Sequence, residues 1–371
     1  VAKIAGGGGG FYFNGNTTTN IFGSVTNNTT ASGGGGFLHD GRNLLIDGGT
    51  ITGNTAASIG GAIQIVNSLR VANILNNSLI DGNMAGAHGG GISIDERGGT
   101  LTVSNSTISN NVADSVNDSD GNGGGINNFG AGIVTVSNST ISGNSAVDGG
   151  GIFNGDLGGS SGTLNLTTVD VSSNIARRRG GGLYQRSGPG TLSLAEVSFD
   201  GNAANGTAAT QGGGGIYNDG FAMNLGNSVA VTDNTATVGS GSGGGIFNNT
   251  GGVLTLNGTI VAVNDAARAG GGIEDNSGAG LGVILTNVSL SSNGALTNPG
   301  NGGGLHVTGA GDVSITNGIV GANSAGSEGG GLRNGSGTMT VDGTSIDGNI
   351  ASGAAADNGG GGIFNAGGIV N

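Results

Sequence analysis

Apolar and polar residues alternate in short segments that recur along the whole chain. Each repeat starts with a glycine-rich run followed by an apolar residue, and successive starts lie 26 to 34 residues apart, about 29 on average. The starting residues are Phe11, Phe37, Ile63, Ile92, Ile126, Ile152, Leu183, Ile216, Ile246, Ile273, Leu305, Leu332 and Ile363. Such a spacing is typical of solenoids and repeat arrays, which predicts one array of similar units.

A second pattern inside each repeat predicts short strands. In the segment LTVSNSTISNN, the apolar residues Leu101, Val103 and Ile108 precede Asn111 with the spacing L-x-V-x4-I-x2-N. Alternation of apolar and polar residues is the period of a β-strand. Strands this short cannot bury an apolar face alone, so the units are expected to stack. The sequence shows no helical period, and glycine recurs every few residues.

The predicted fold is therefore an all-β, right-handed parallel β-helix of about twelve to thirteen coils, each of about 29 residues with three strands. The right hand follows from the general preference for right-handed crossovers between parallel strands. In this prediction residues 1–371 form a single continuous β-helix domain, which is either part of a longer protein or part of an end-stacked assembly.

Asparagine closes the third strand in twelve successive repeats. Its amide can bond the amides of the coils above and below, and the residue tolerates a left-handed turn conformation. We predict an internal amide ladder here, with ligand binding as the alternative. The ladder comprises Asn28, Asn54, Asn83, Asn111, Asn144, Asn174, Asn202, Asn234, Asn264, Asn293, Asn323 and Asn349. A second, partial column follows the glycine runs at Asn128, Asn154, Asn218, Asn248, Asn334 and Asn365, with Gln185 and Asp275 as substitutes.

Composition and charge exclude several classes of protein. Glycine fills 89 of 371 positions without a three-residue period and proline only two, which excludes collagen. The net charge of −13 argues against a nucleic-acid partner. No cysteine is present, so disulfides and thiolate sites are excluded. No apolar run approaches the roughly 20 residues of a membrane helix, so no membrane insertion by this segment is expected.

Two motifs resemble a known family of repeats. Gly60-Gly61-Ala62-Ile63 resembles the GGA[ILV] half, and Phe199-Asp200-Gly201-Asn202 the FxxN half, of repeats in bacterial polymorphic outer-membrane proteins. Glycine usually replaces the alanine of that motif, and Ile, Val or Leu usually replaces the phenylalanine. The chain also resembles other secreted right-handed β-helix proteins with GGGI[YF]N repeats. The resemblance implies a bacterial, exported protein that is extracellular or attached to the cell surface as a passenger or adhesin.

Aromatic residues recur at one position of the repeat. The residue after the glycine-run apolar residue is expected to point outward, because its neighbour points inward. In four consecutive coils this residue is Phe153, Tyr184, Tyr217 or Phe247. We predict either an exposed strip that binds sugar rings or a neighbouring rod, or a stacked ladder that its own loops cover.

Four arginines form a basic patch near the middle of the chain. Arg177, Arg178 and Arg179 are consecutive and are expected in a variable loop, and Arg186 follows on the next strand. With the carboxylates of Asp170, Glu196 and Asp200, this patch is the one constellation that would suit a polysaccharide lyase. A solvated loop or a partner contact is the other interpretation. The three histidines, His39, His88 and His306, share no position in the repeat, which argues against a catalytic or zinc triad.

The segment NDSDGNG resembles half of a calcium-binding loop. Asp118, Asp120 and Asn122 would be the ligands, with Asp114 as a further candidate. The bidentate carboxylate expected downstream is missing, so a plain polar turn is the alternative. Apart from this calcium candidate, no cofactor is predicted.

These observations favour a non-catalytic, extracellular structural or adhesive β-solenoid that presents many weak contacts. Neither end of the chain shows a recognisable cap, so head-to-tail association with itself into fibres is expected alongside partners such as glycans or a host or neighbouring cell surface. The alternative is a polysaccharide-active lyase, epimerase or hydrolase. Ice binding is a third, but it would need regular outward rows of threonine that the sequence lacks.

Overall fold

The chain folds as an all-β parallel solenoid of about 12 turns that lie about 29 residues apart, which confirms the predicted fold class. The computed structural model describes residues 8–114, 121–155, 161–226, 228–297 and 299–371, and it contains no helix within those ranges. Strands at the same position of consecutive turns pair in parallel, as Thr100–Ser104 does with Ile133–Ser142. The hand of the coil stays a prediction.

The chain divides into two compact units. The first unit consists of Val1–Arg177 and Gly188–Val197, and the second of Arg178–Ser187 and Ser198–Asn371. In both units most turns have a strand after the glycine run, one at the L-x-V pair, one before the ladder asparagine and a short one after it. The expectation of three strands per coil was thus wrong, because backbone pairing resumes after the asparagine turn.

In the earlier part of the chain, neighbouring strands often merge across the turns. The strands are Phe11–Ile21, Ser24–Thr26, Thr29–Thr30, Phe37–Asp47, Thr50–Thr52, Thr55–Ala56, Ile63–Ile65, Val71–Leu75, Leu79–Asp81, Met84–Ala85, Ile92–Ile94, Thr100–Ser104, Thr107–Ser109, Ile126–Asn128, Ile133–Ser142, Ser145–Asp148, Ile152–Asn154, Thr163–Ser172, Ile175–Arg179 and Leu192–Asp200.

In the later part of the chain the four short strands of each turn stay separate. They are Leu183–Arg186, Ala203–Ala204, Ile216–Asp219, Ala222–Leu225, Val229–Thr232, Thr235–Ala236, Ile246–Asn248, Val253–Asn257, Ile260–Ala262, Asp265–Ala266, Ile273–Asp275, Gly280–Thr286, Ser289–Ser291, Gly294–Ala295, Leu305–Val307, Gly311–Thr316, Ile319–Gly321, Ser324–Ala325, Leu332–Asn334, Thr338–Asp342, Ser345–Asp347, Ile350–Ala351, Ile363–Asn365 and Ile369–Val370.

The core consists of apolar columns that follow from the repeat. In the first unit Leu101 pairs in register with Val134, and Val134 with Leu164, and all three side chains are fully buried. In the second unit Ile216 and Ile246 are stacked in the same way and are equally buried. Residues at the same position of successive repeats are therefore aligned vertically, and burial of these columns is the main driving force for stacking.

The glycine runs form sharp corners. Gly213 has a φ of 64°, and a Cβ atom there would lie 2.3 Å from the carbonyl oxygen of Ile216. Next to it, a Cβ on Gly214 would lie 2.4 Å from the carbonyl oxygen of Gly244 in the following turn. Only glycine suits both demands, the left-handed conformation and the close approach of two backbones. The corner brings the segment before the run alongside the residue that follows Ile216.

Candidate functional site

The predicted asparagines of the first unit form a continuous amide ladder. Each Nδ2 donates to the Oδ1 of the next asparagine, at 2.9 Å in every step. Each Oδ1 also accepts the backbone N–H of the preceding asparagine at 3.0 Å. The remaining amide hydrogen bonds a backbone carbonyl, as between Asn111 Nδ2 and the oxygen of Ile80 at 3.0 Å. The members are Asn28, Asn54, Asn83, Asn111, Asn144 and Asn174.

The second unit repeats the ladder with the same geometry. The steps from Nδ2 to Oδ1 measure 2.9 or 3.0 Å along Asn202, Asn234, Asn264, Asn293, Asn323 and Asn349. Most of these side chains are fully buried. Because burial of an unbonded amide is costly, a set of amides that bond one another and the backbone is a structural element. This geometry leaves the ladder asparagines no free group for a ligand.

The second polar column is less regular. Asn128 Nδ2 donates to Asn154 Oδ1 at 2.8 Å in the first unit. In the second unit Asn218 donates to Asn248, and Asn248 to Asp275 Oδ1, each at 2.8 Å. Burial raises the pKa of Asp275 to about 6, although hydrogen bonds from Asn248 and Ser277 oppose the shift. A carboxyl therefore stands here in a place built for an amide.

The residue after each glycine-run apolar residue belongs to what we call the flank column. In the second unit its members lie in register one above another, and they are Tyr184, Tyr217, Phe247, Glu274, His306, Arg333 and Phe364. The Tyr184 and Tyr217 rings stack with centroids 5.2 Å apart, and Tyr217 and Phe247 at 5.0 Å.

Of the two alternatives for the aromatic residues, the exposed strip is wrong, and the stacked, covered ladder is confirmed for Tyr184, Tyr217 and Phe247. Tyr184, Tyr217 and Phe247 are at most 2% exposed, and Phe153 of the first unit is equally buried. The segment before the glycine run covers these rings of the second unit: Tyr217 Oη donates to the carbonyl of Thr210, and the Arg179 guanidinium lies over two of the rings. The flank column points away from the apolar core, yet a second layer of chain encloses it.

The flank column of the second unit continues as a buried chain of charges that the sequence analysis missed. Glu274 is fully buried, and its Oε1 accepts a hydrogen bond from Arg268 at 2.7 Å. His306 Nδ1 lies 2.8 Å from Glu274 Oε2, and its Nε2 lies 3.0 Å from Arg333 Nη1. Because arginine can only donate, Nε2 of His306 accepts, and Nδ1 carries the proton given to Glu274. Arg333 is paired in turn with Glu328 at 2.6 Å.

This arrangement keeps Glu274 ionised. Burial alone would raise its pKa, but His306, Arg268 and the Thr308 hydroxyl together hold the pKa below its ordinary value. The signal was present in the sequence, because Glu274, His306 and Arg333 occupy the same repeat position as the tyrosines. It was overlooked because that position was analysed for aromatic residues alone.

The predicted basic patch does not lie in a loop. Arg177, Arg178 and Arg179 end the strand Ile175–Arg179, where all three are half-buried. In the first unit Arg177 is ion-paired with the buried carboxylate of Asp114. In the second unit Arg179 packs over tyrosine rings, and Arg186 is in register with Asp219.

The three carboxylates considered for lyase chemistry each accept a hydrogen bond from a serine or threonine hydroxyl. Asp170 accepts from Ser172 at 2.8 Å, and Glu196 from Thr168 at 2.8 Å. Asp200 accepts from Thr232 at 2.5 Å.

Of the calcium candidates, Asp118 and Asp120 lie outside the described residues. Asn122 is buried, and its backbone N–H donates to His88 Nδ1 at 3.2 Å. The described part of the chain contains no group of three or more acidic or histidine residues that could hold a metal ion.

The flank column of the first unit contains a cleft. Its members Gln64, Ser93 and Asn127 lie in register on consecutive turns and are small or polar. Beside them is a cleft of about 290 Å³, walled by His88 and Phe129, whose rings stack at 5.9 Å. This cleft was not predicted from the sequence.

Comparison with protein-family models, with curated proteins and with solved structures found no match. Within the described ranges, no helix is long and apolar enough to span a membrane.

Proposed function

We propose that this chain is a non-catalytic, extracellular structural or adhesive solenoid of a bacterial surface. The observation that carries the proposal is the pair of amide ladders. They commit one asparagine in each of twelve successive turns to holding one turn on the next. A chain built in this way is a stiff scaffold whose outward side chains are repeated at regular intervals.

The outward positions support an adhesive role. Thr102, Thr135 and Asn165 are in register on successive turns of the first unit, and each is half-buried rather than enclosed. Repeated polar groups of this kind give many weak contacts, which add up to useful avidity when a partner is itself repetitive. Glycans and neighbouring cell surfaces are such partners.

Association with a second copy is part of the proposal. Ile346 and Ile363 are half-exposed, whereas the residues in register one turn earlier, Val320 and Leu332, are buried. An apolar column and unpaired strand edges together would suit another turn of the same fold. We therefore propose head-to-tail contacts through this face.

Surface location and adhesion test the function directly. We expect the protein on the outside of the producing cell, where added protease removes it, and we expect the purified chain to coat glycan-bearing surfaces. A cytoplasmic location, or coated beads that bind no better than bare beads, would contradict the proposal. New ultraviolet absorbance from unsaturated sugars in the same incubation would instead favour the polysaccharide-active alternative.

Self-association is tested with two variants. We expect the wild-type chain to form filaments that electron microscopy can detect. Ile363→Asp places a charge on the half-exposed face, and we expect this variant to form none. Ile319→Asp is the matched control, because Ile319 is 55% exposed on the side of the solenoid. Filaments that persist in Ile363→Asp, or a wild-type chain that stays monomeric at high concentration, would refute end-to-end contact.

A further inference from the structure

The cleft of the first unit exists because three side chains of the flank column leave room. Ser93 and Asn127 are in register with each other, and Asn127 is in register with Phe153 on the next turn. At Phe153 a phenyl ring occupies the flank column. On the two preceding turns the smaller side chains of Asn127 and Ser93 leave a cleft of about 290 Å³. That volume is close to the lower end of the range for small-molecule sites, roughly 300 Å³.

Asn127 lines the cleft, and its buried amide oxygen is an unused hydrogen-bond acceptor. Asn127 is 1% exposed, and its Nδ2 donates to Ser93 Oγ at 3.1 Å. Its Oδ1 is buried and has no hydrogen-bond partner among the described residues. A buried carbonyl oxygen without a donor is costly, so a ligand hydroxyl that donates to it would gain more than an exposed contact.

The remaining lining defines which ligand fits. Asp95 and Glu96 bring carboxylates to the cleft, and Asp95 Oδ1 already accepts the backbone N–H groups of Asn67 and Arg97 at 3.3 and 3.0 Å. Carboxylates and an amide oxygen favour donors and repel anions. His88 and Phe129 supply a flat wall opposite these polar groups.

We infer that this cleft binds one neutral glycosyl residue through its hydroxyl groups. The ligand class follows from the chemistry: several donors for Asn127 Oδ1 and the carboxylates, a ring small enough for the volume, and no acidic group. The inference deepens the proposed adhesive function and rests on it, because it assigns one specific contact within a surface that otherwise binds through repetition.

The test uses methyl glycosides of neutral hexoses and of uronic acids with the intact chain. Saturation-transfer NMR should show binding of at least one neutral glycoside and weaker or no binding of the matching uronide. Asn127→Leu, which keeps the approximate volume, should weaken binding roughly tenfold, the equivalent of one buried hydrogen bond. Asn127→Phe, which fills the cleft, should abolish it. Ile133→Thr, at a 45% exposed position on the same turn and outside the cleft lining, is the matched control and should bind normally.

Each result decides the inference. Neutral glycoside binding that disappears in Asn127→Phe supports it. No binding of any glycoside, equal binding by Asn127→Phe, or preference for the uronide overturns it. Loss of the cleft with surface adhesion intact leaves the proposed function standing, whereas cleft binding by a protein found in the cytoplasm refutes the function and keeps the site.

Discussion

The flank columns of the two units occupy the same position of the repeat but differ in what they contain. In the first unit Gln64, Ser93 and Asn127 leave a cleft that both apolar and polar side chains line. In the second unit the column is filled, first by stacked rings such as Tyr217 and then by the ion-paired Glu274. The difference shows that the repeat specifies where this column lies, while its side chains decide whether the space is open or closed. The amide ladder does not vary in this way, because every member depends on its neighbours.

The largest expected effect concerns the ladder, which the two units share. Asn111→Leu and Asn264→Leu should each lower the free energy of unfolding by about 4 kcal/mol. Each variant leaves the backbone N–H and the Nδ2 group of the preceding asparagine without their acceptor. Denaturant unfolding, with hydrogen exchange to locate the loss, measures this. Ile133→Thr serves as the exposed control. If only one of the two variants loses stability, the two ladders are not equivalent.

The next effect separates the columns. Glu274→Leu should destabilise the second unit by about 3 kcal/mol, because Arg268 and His306 lose the buried carboxylate that pairs with them. The double variant Glu274→Leu with Arg268→Met should recover much of this loss, since no unpaired charge remains. Thermal unfolding of both variants provides the measurement. If Glu274→Leu is as stable as the wild type, the ion pairs of Glu274 do not stabilise the second unit.

Asp275 should give the second unit a pH dependence opposite to that of His39 in the first unit, where burial lowers the histidine pKa and stability rises with pH. The folded-state pKa of Asp275, about 6, lies above the ordinary 3.8, so the folded state binds more protons between these values and stability falls as pH rises through this window. Asp275→Asn should flatten this dependence and add about 2 kcal/mol at pH 7. Glu274 acts oppositely, but only below its ordinary pKa of 4.5. Unfolding curves from pH 4 to 8 test this; an unchanged slope in the variant would contradict it.

The smallest expected effect is that of a variant that fills the open flank column of the first unit. Asn127→Phe should change stability by less than about 1 kcal/mol, because the ring would fill an existing cleft beside the register position of Phe153. Thermal unfolding is again the readout. A large loss would mean that the phenyl ring does not fit the cleft, and the glycoside test would then depend on Asn127→Leu, which adds no ring.

Sequence reasoning was accurate where one residue type recurs at one phase. Asn111 and Asn264 were placed in ladders from their spacing alone, because a repeated residue in a stacked array must meet its own copies. It failed where mixed residue types share a phase. Glu274 and His306 look unrelated in the sequence, yet register brings His306 Nδ1 to 2.8 Å from the carboxylate.

The strand alternation, the glycine corners and the period of about 29 residues determined the fold from the sequence alone, because local backbone preferences and apolar periodicity are written into each repeat. Burial of the flank column was decided only by the tertiary structure. The alternation indicated correctly that Tyr217 points away from the core, but whether a second layer of chain covers it depends on how the corner at Gly213 folds the preceding segment back. The same long-range geometry leaves the cleft at Asn127, because side-chain volumes in adjacent turns set the space there.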